Sequence, residues 1–528
     1  MPYRVNSKHS SRRRRVLLLA DRLEELAKAR HQLVLQLEEL DAQARVVQLE
    51  FDELQNIDAP VSSLPEEVLA MVFEAGVLLD ELPRFEFATV VSHVTRRWRS
   101  VALATPRLWN TIFWDLGPEE LEDSEETEKP RQQALLENLE KETNRVAIFL
   151  SRSMPAPIDI YISRVRETVF DCDHTAMKSM IKLLHAHFYR CHHLSIRDGD
   201  MWCTEQILDE LCSGPAPIII RSIDWGIAYD YEEEYSPMPV YFNRNTPQLK
   251  IAQLARFEVV TILYFQPVFR QLVSLRLIGN KLTAEDHALL ARALLSMTAL
   301  DHLELLEFCE YEPHTPPLVH PTIRFLHLHL APRYDEHDID IQRFRAASVT
   351  TLSIDCARRP LGGIGFTLEV PPQTAFPSLQ HLLLVNIKEH SLNLDATAHI
   401  FPDIKRLTCQ GADPDFEVGH VLAAMGAHAN KGDLASTADV SLHWSKLHSI
   451  AASGPDEPLH AGTPDSQLDS QVAALQAAGI PVRKLLLPQS LVAHVGGDMM
   501  ARVGELVEVE DFRLDWPTSF ARFDEESD

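Results

Sequence analysis

In the stretch HAHFYRCHH, the side chains of His185, His187, His192 and His193 crowd around Cys191. Imidazole and thiolate are the ligands zinc favours, so the cluster raises the question of a metal site. Structural zinc sites pair ligands about two to five residues apart with a second such pair elsewhere, all converging on one point. No convincing second pair follows, and the seven cysteines are scattered without a repeated CxxC. The cluster therefore reads as a polar helix end whose histidines find ordinary partners. A second concentration, YDYEEEYSPMP, sets Glu232, Glu233 and Glu234 between Tyr231 and Tyr235. Adjacent carboxylates in such a loop form a solvated turn and not an acid–base pair. The sequence holds no Walker loop, no GxGxxG after a strand, no GxSxG and no HExxH. The expectation is a chain that is not an enzyme and calls for no metal and no cofactor.

Length and charge bound what could hold such residues in place. At 528 residues the chain is long for one core, and about 150 residues per domain gives roughly three to four units. Hydrophobic content of 45% and charged content of 24% are ordinary for a globular protein. A formal net charge of -27 argues against a nucleic-acid partner, because such proteins need Lys and Arg to displace counterions from phosphates. Scattered cysteines fit a reducing, intracellular compartment, cytoplasm or nucleus. No apolar run approaches the ~20 residues that span a bilayer, so no membrane partner is expected. The short run after Arg15 meets Asp21 and Arg22, unlike a secretory signal. Arg12 to Arg15 are either a nuclear-import tag or the solvated start of a helix.

The segment VLLLADRLEELAKARHQLVLQLEELDAQARVVQLEFDELQ falls into sevens. Leu19, Leu26, Leu33, Leu40, Val47 and Leu54 form one row, and Val16, Leu23, Arg30, Leu37, Ala44 and Phe51 another three residues earlier. These are the d and a positions of a coiled coil. A helix of that length extends roughly 58 Å, more than a small domain can cover. Its stripe needs either a second copy, giving a homodimer through residues 16–54, or the rest of the chain. Arg30 at an a position costs stability but restricts register.

Pro60 then stops the helix. Ser63 reads as an N-cap, with Pro65, Glu66 and Glu67 in the first turn of a new helix. Leu64, Val68, Leu69, Val72 and Phe73 give it one apolar face; Val90, Val91, Val94, Trp98, Val101 and Ala102 give a second, and TPRLW closes the unit. The run resembles the F-box family, whose pattern is Leu-Pro-x-Glu, Ile/Val-Leu-x-x-Ile/Val-Phe, Val-x-x-x-Trp-Arg and Pro-x-Leu-Trp. Leu64, Pro65, Glu67, Val68, Leu69, Val72, Phe73, Val94, Trp98, Arg99, Pro106, Leu108 and Trp109 supply it. The likeness covers about fifty residues. It departs at the usual cysteine, where His93 or Thr95 stands, and in a longer connection between helices. It implies binding to a Skp-type adaptor of cullin–RING ubiquitin ligases, with adaptor contact carried to Leu64, Pro65, Val68, Val91 and Val94. Leu69, Val72, Phe73, Trp98, Leu108 and Trp109 would be the small unit's own core.

Further on, the phrase L-x-x-L-x-L recurs as LVSLRL, LDHLEL, IRFLHL, VTTLSI, LQHLLL and VRKLLL, with IRSIDW, IKRLTC and LVEVED as looser copies. Spacing of mostly about 20–30 residues is that of leucine-rich repeats. Each phrase is a strand that cannot bury its own leucines, so strands stack in parallel and share one core. Segments such as TAEDHALLARALLSM cover them as helices. Asn280 closes the fullest phrase, and VGHVLAAMGAHANKGDLASTADVSLHWSK interrupts the period.

The whole reads as an α/β chain. Its parts are a basic tail (1–15), a heptad helix (16–57), an F-box-like domain (58–114), an acidic linker (115–135), a leucine-rich-repeat-like solenoid (136–515) and an acidic C-terminal tail (516–528). The expected function is a substrate receptor of a cullin–RING ligase whose concave sheet holds a protein target. The alternative is a repeat scaffold without ligase coupling.

Overall fold

Each recurring phrase folds as a short parallel strand, and five strands that the phrase did not mark join them. The computed structural model describes residues 6–57, 59–77, 84–115, 128–164, 174–199, 201–214, 218–227, 246–256, 259, 262, 266–279, 281–307, 309–310, 317–329, 344–356, 375–388, 394–413, 416–429, 444–454, 467–494, 497–517 and 519–520. Asn280 and the Tyr231–Tyr235 carboxylates lie outside these residues, as does most of the expected acidic linker. The chain divides into two compact units: residues 1–79 with 89–103, and residues 80–88 with 104–528.

The larger unit is built on one fourteen-stranded sheet whose spatial order follows the chain. Its strands are β1 (Thr111–Asp115), β2 (Ile158–Ser163), β3 (Cys191–Gly199), β4 (Ser222–Ile227), β5 (Ile251–Ala255), β6 (Ser274–Ile278) and β7 (His302–Leu306). They continue as β8 (Phe325–His329), β9 (Thr351–Asp355), β10 (His381–Ile387), β11 (Arg406–Gly411), β12 (Ser449–Ser453), β13 (Lys484–Leu487) and β14 (Glu508–Asp511). Leu275 pairs with Leu303, Leu303 with Leu326, Leu326 with Leu352, Leu352 with Leu382 and Leu382 with Leu407. Two residues further along each strand, Leu277, Leu305, Leu328, Ile354, Leu384 and Cys409 make a second column. Both columns are buried. Fully burying each leucine is worth about 1.5–3 kcal/mol, gained only when a neighbouring strand is present.

Helices α5 (Glu128–Arg152), α6 (His174–His187), α7 (Met201–Cys212), α8 (Ala284–Ser296) and α9 (Val418–Ala429) lie between strands in the chain. Thr283 starts α8 with a capping box: its hydroxyl accepts from Asp286 N at 3.2 Å, and its own N–H donates to the Asp286 carboxylate at 3.1 Å. Leu294 of α8 meets Leu303, Ile323 and Leu326 around an interior gap of about 10 Å³, so helix and leucine columns close on each other. The segment expected to interrupt the period supplies α9, and β12 resumes the sheet after it. This is therefore a repetitive α/β solenoid-like fold, compatible with a leucine-rich-repeat-like architecture.

Several expected boundaries move. β1 pairs with β2, so the solenoid begins before residue 115 and not at 136. Trp109, Ile112 and Trp114 are the apolar positions of a first repeat phrase, and all three are buried. The Trp109 indole stands edge-on to Phe149 at 5.0 Å and lies under the Arg152 guanidinium at 4.4 Å, both from α5. Trp109 and Leu108 thus belong to the solenoid unit, not to a separate three-helix core. The expected acidic linker ends early, because α5 starts at Glu128.

The smaller unit opens with α1, a 52-residue helix from Asn6 to Ile57. It takes in Arg12 to Arg15, so those residues are helical rather than a tail. Leu19, Leu26, Leu33, Leu40, Val47 and Leu54 are all exposed, as are Val16, Leu23, Leu37 and Phe51. After a short 3-10 turn at Pro60–Ser63 come α2 (Glu66–Gly76), α3 (Arg84–Val94) and α4 (Arg96–Ala104), of which residues 89–103 count with this unit. Ser63 is not the cap of α2: its hydroxyl donates to Pro60 O at 2.7 Å, and Pro65 occupies the cap position. The second apolar run is two helices, because the Thr95 hydroxyl accepts from Trp98 N at 3.0 Å and starts α4 anew.

Candidate functional site

Alternation along a strand sends every second side chain to the face opposite the leucines. On that face stand Ser195, Asp224, Gln253, Arg276, Glu304, His327 and Ser353 in successive strands, adjacent through the same registers. Polar groups so placed are tolerated only when they satisfy one another. Ser195 Oγ donates to Asp224 at 3.0 Å, and Arg197 pairs with the same carboxylate. Arg276 donates from Nη1 to Gln253 at 3.3 Å and from Nε to Glu304 at 2.6 Å. His302 Nε2 lies 2.7 Å from Glu304, and His327 Nδ1 lies 2.7 Å from Ser353 Oγ. Asn386 donates to Asp355 at 2.9 Å, while His329 approaches it at 3.6 Å.

The fields of these groups follow from burial and pairing. Burial alone would raise the Glu304 carboxyl, but the hydrogen bond from His302 and the Arg276 charge outweigh it and hold it at about 2. Burial pushes Asp224 up to about 6 against the opposing pull of Arg197. His327 is lowered by burial, with Glu304 and Asp355 opposing. Burial, helped by Arg406, drives His381 down to about 3.

The residues expected to form an acidic tail contribute to this face. After β14, Asp515 pairs with Arg406, whose Nη2 donates to Arg513 O at 3.0 Å. Trp516 donates its indole N–H to Glu304 at 2.9 Å. Ser519 Oγ lies 2.9 Å from Ser274 Oγ, and Phe520 is buried beneath the Arg276 guanidinium at 4.5 Å. Composition hides this: the acidic residues from Asp524 onward mask a segment that also carries the aromatics Trp516, Phe520 and Phe523.

The histidine cluster disperses. His185 Nδ1 lies 2.9 Å from Glu210 O at the end of α6, and His193, in β3, sits 2.8 Å from Ser222 Oγ. His192 faces Asp159 at 3.4 Å, and the Cys191 thiol donates to His193 O at 3.1 Å. The cluster is thus half strand, not a helix end. Among the described residues no group of three or more His, Cys, Asp or Glu could hold a metal ion. No described helix is long and apolar enough to cross a membrane.

The smaller unit offers a second surface. Leu69 and Phe73 are buried, and the Trp98 ring, half-buried, packs on Phe73 at 5.0 Å. Val72, expected in the core, is 52% exposed, at the edge of the face that buries Leu69 and Phe73. Val91, expected to meet an adaptor, is only 4% exposed, whereas Val90 and Val94 on the outward side of α3 are 51% and 52% exposed. Leu64 is half-buried and Pro65 exposed, while Val68 and Met71 are 39% and 68% exposed. Arg97 fixes the Leu64–Pro65 turn, donating to Ser62 O at 2.7 Å and to Leu64 O.

No family model matches this chain, and no curated protein is significantly similar to it. The F-box likeness therefore rests on the quoted residues, and the solenoid on its strands.

Proposed function

We propose that the chain is an interaction scaffold whose polar sheet face receives a segment of another protein. What carries the reading is a face of cross-linked polar side chains running across successive strands, a display of hydrogen-bonding and charged groups. No residue of the chain needs to perform chemistry; the scaffold acts by raising the effective concentration of what it holds. The test is quantitative affinity purification. Replacing His329 and Gln410 by alanine, both half-exposed on this face, is expected to lose proteins that the parent chain retains. An unchanged set of retained proteins would defeat the reading.

A finer reading couples the scaffold to ubiquitin transfer through a Skp-type adaptor and cullin complex. Exposed Val68, Met71, Val72, Val90 and Val94 favour it, since an apolar surplus of this kind suits an interface. A Val68→Asp, Val94→Asp double variant is expected to fold normally and lose the adaptor in co-purification. Full retention of adaptor would sink the docking assignment while leaving the scaffold reading intact.

A further inference from the structure

The polar face already holds one peptide, and it is the chain's own. Among the described residues the last backbone–backbone hydrogen bond of the C-terminal segment joins Phe512 N to Leu487 O at 2.8 Å. Beyond it the segment runs back from β11 toward β6, held through side chains and through the one carbonyl of Arg513. The Trp516 indole stands in an aromatic cage, with ring centroids 5.1 Å from His302, 6.0 Å from Phe325 and 5.9 Å from His327, at steep angles to all three. Its N–H meets Glu304, an acceptor fixed in place from its other side by Arg276. Phe520 lies 5.2 Å from His302 and takes the Arg276 cation on its ring face. Ser519 fits between them, its hydroxyl near Ser274 and 3.5 Å from His302 Nδ1.

This is how a docked ligand is held, not how a strand is added. Aromatic anchors in pockets dominate peptide recognition, and a buried indole or guanidinium contact commonly supplies most of the affinity. The receiving groups are also complete by themselves: Arg276 keeps Glu304 and Gln253 whether or not the segment is present. Removal of the segment takes the Asp515 carboxylate from Arg406 but leaves the buried Arg276–Glu304 pair intact, so the charges at the centre of the site keep each other.

We infer that β6–β8, with Arg406 of β11, form a receptor for a peptide of acidic–Trp–x–x–Ser–Phe chemistry, a site occupied in cis by Asp515–Phe520 until a partner segment of the same chemistry displaces it. The inference rests on the scaffold reading above and specifies its ligand. Tethering gives the cis segment an effective concentration on the order of millimolar, so a free peptide meets an occupied site in the parent chain and an open one when the tether's anchors are removed.

The probe is a fluorescent peptide with the sequence of Arg513–Phe520, titrated by anisotropy against the full chain. A Trp516→Ala, Phe520→Ala chain is expected to bind it at least tenfold more tightly than the parent chain, and a peptide with alanine for tryptophan is expected not to compete. Equal binding to both chains, or none to the double variant, overturns the inference. Circular dichroism melts check the double variant; loss of its folded transition would mark the segment as a structural brace and also overturn it. The conservative Trp516→Phe chain keeps one aromatic ring but loses the indole's second ring and its N–H donor. It is expected to gain peptide affinity at least threefold, and no gain counts against the inference. If the peptide fails while His329→Ala with Gln410→Ala still abolishes partner capture, only this inference falls and the scaffold reading stands.

Discussion

Replacing Glu304 by glutamine keeps the shape of the side chain and an acceptor for Trp516 but removes the charge that Arg276 and His302 face. Two routes give the size of the effect. The carboxyl stands at about 2 instead of its ordinary 4.5, and at about 1.36 kcal/mol per pKa unit this is roughly 3 kcal/mol of stability. Removing one partner of a buried ion pair costs about 3–5 kcal/mol by mutational experience, in agreement, since Glu304 is only 2% exposed. The sign follows from the lowered value: the stabilisation is fully present above about pH 4.5 and is lost as pH falls toward 2. Urea unfolding of both chains at pH 7, 4.5 and 3, followed by circular dichroism, should therefore show a gap of about 3 kcal/mol at neutral pH that closes in acid. Hydrogen exchange on β6–β8 localises the change, because long repeat arrays can unfold in sections. A gap that stays constant down to pH 3 would refute the assignment of this charge cluster.

The remaining expectations test other parts of the fold. Asp224, raised to about 6 from 3.8, contributes stability below about pH 4 that is lost as pH rises through 6. An Asp224→Asn chain should lack that decline, worth roughly 3 kcal/mol, in melts run from pH 4 to 7. At Gly411 a Cβ would lie 2.2 Å from Phe416, so Gly411→Ala should destabilise the end of β11 by about 1–3 kcal/mol in chemical denaturation. Because the heptad rows of α1 are exposed, sedimentation should show mass rising with concentration, and Arg30→Leu should strengthen the association. A concentration-independent monomer unaffected by Arg30→Leu would remove the coiled-coil reading.

The repeat was legible where leucine filled its own positions and illegible where something smaller or aromatic did. β3 carries Cys191, Leu194 and Ile196 at the phrase spacing, β5 carries Leu249, Ala252 and Leu254, and β12 carries Leu447, Ile450 and Ala452. These side chains are buried as the leucines are, but Cys and Ala do not announce a strand. β1 was hidden differently. Trp109, just ahead of it, matched another pattern, and only the pairing of β1 with β2 shows where that residue belongs. In the smaller unit, helical spacing located the faces of α2 and α3 but not which side of α3 turns inward. Val91 and Val94 both sit among apolar neighbours in sequence, and packing alone separates them. The polar face itself is not legible in sequence, because its cross-strand hydrogen bonds and ion pairs join residues more than twenty positions apart, beyond the reach of local pattern.

Strands that meet residue for residue, without stagger from β4 through β9, make chain length a quantised variable inside the sheet. A single inserted residue within a strand would rotate every later side chain from oily side to wet side. Loss or duplication of an entire strand-and-connector unit would preserve that alternation. The connectors obey no such arithmetic: the path from Gly411 to Ser449 is far longer than the one from Ala255 to Ser274, yet both deliver the next strand to the same level. Growth or shrinkage of such a chain over descent should therefore proceed by whole modules and by freely varying links, and its strands should keep a fixed beat.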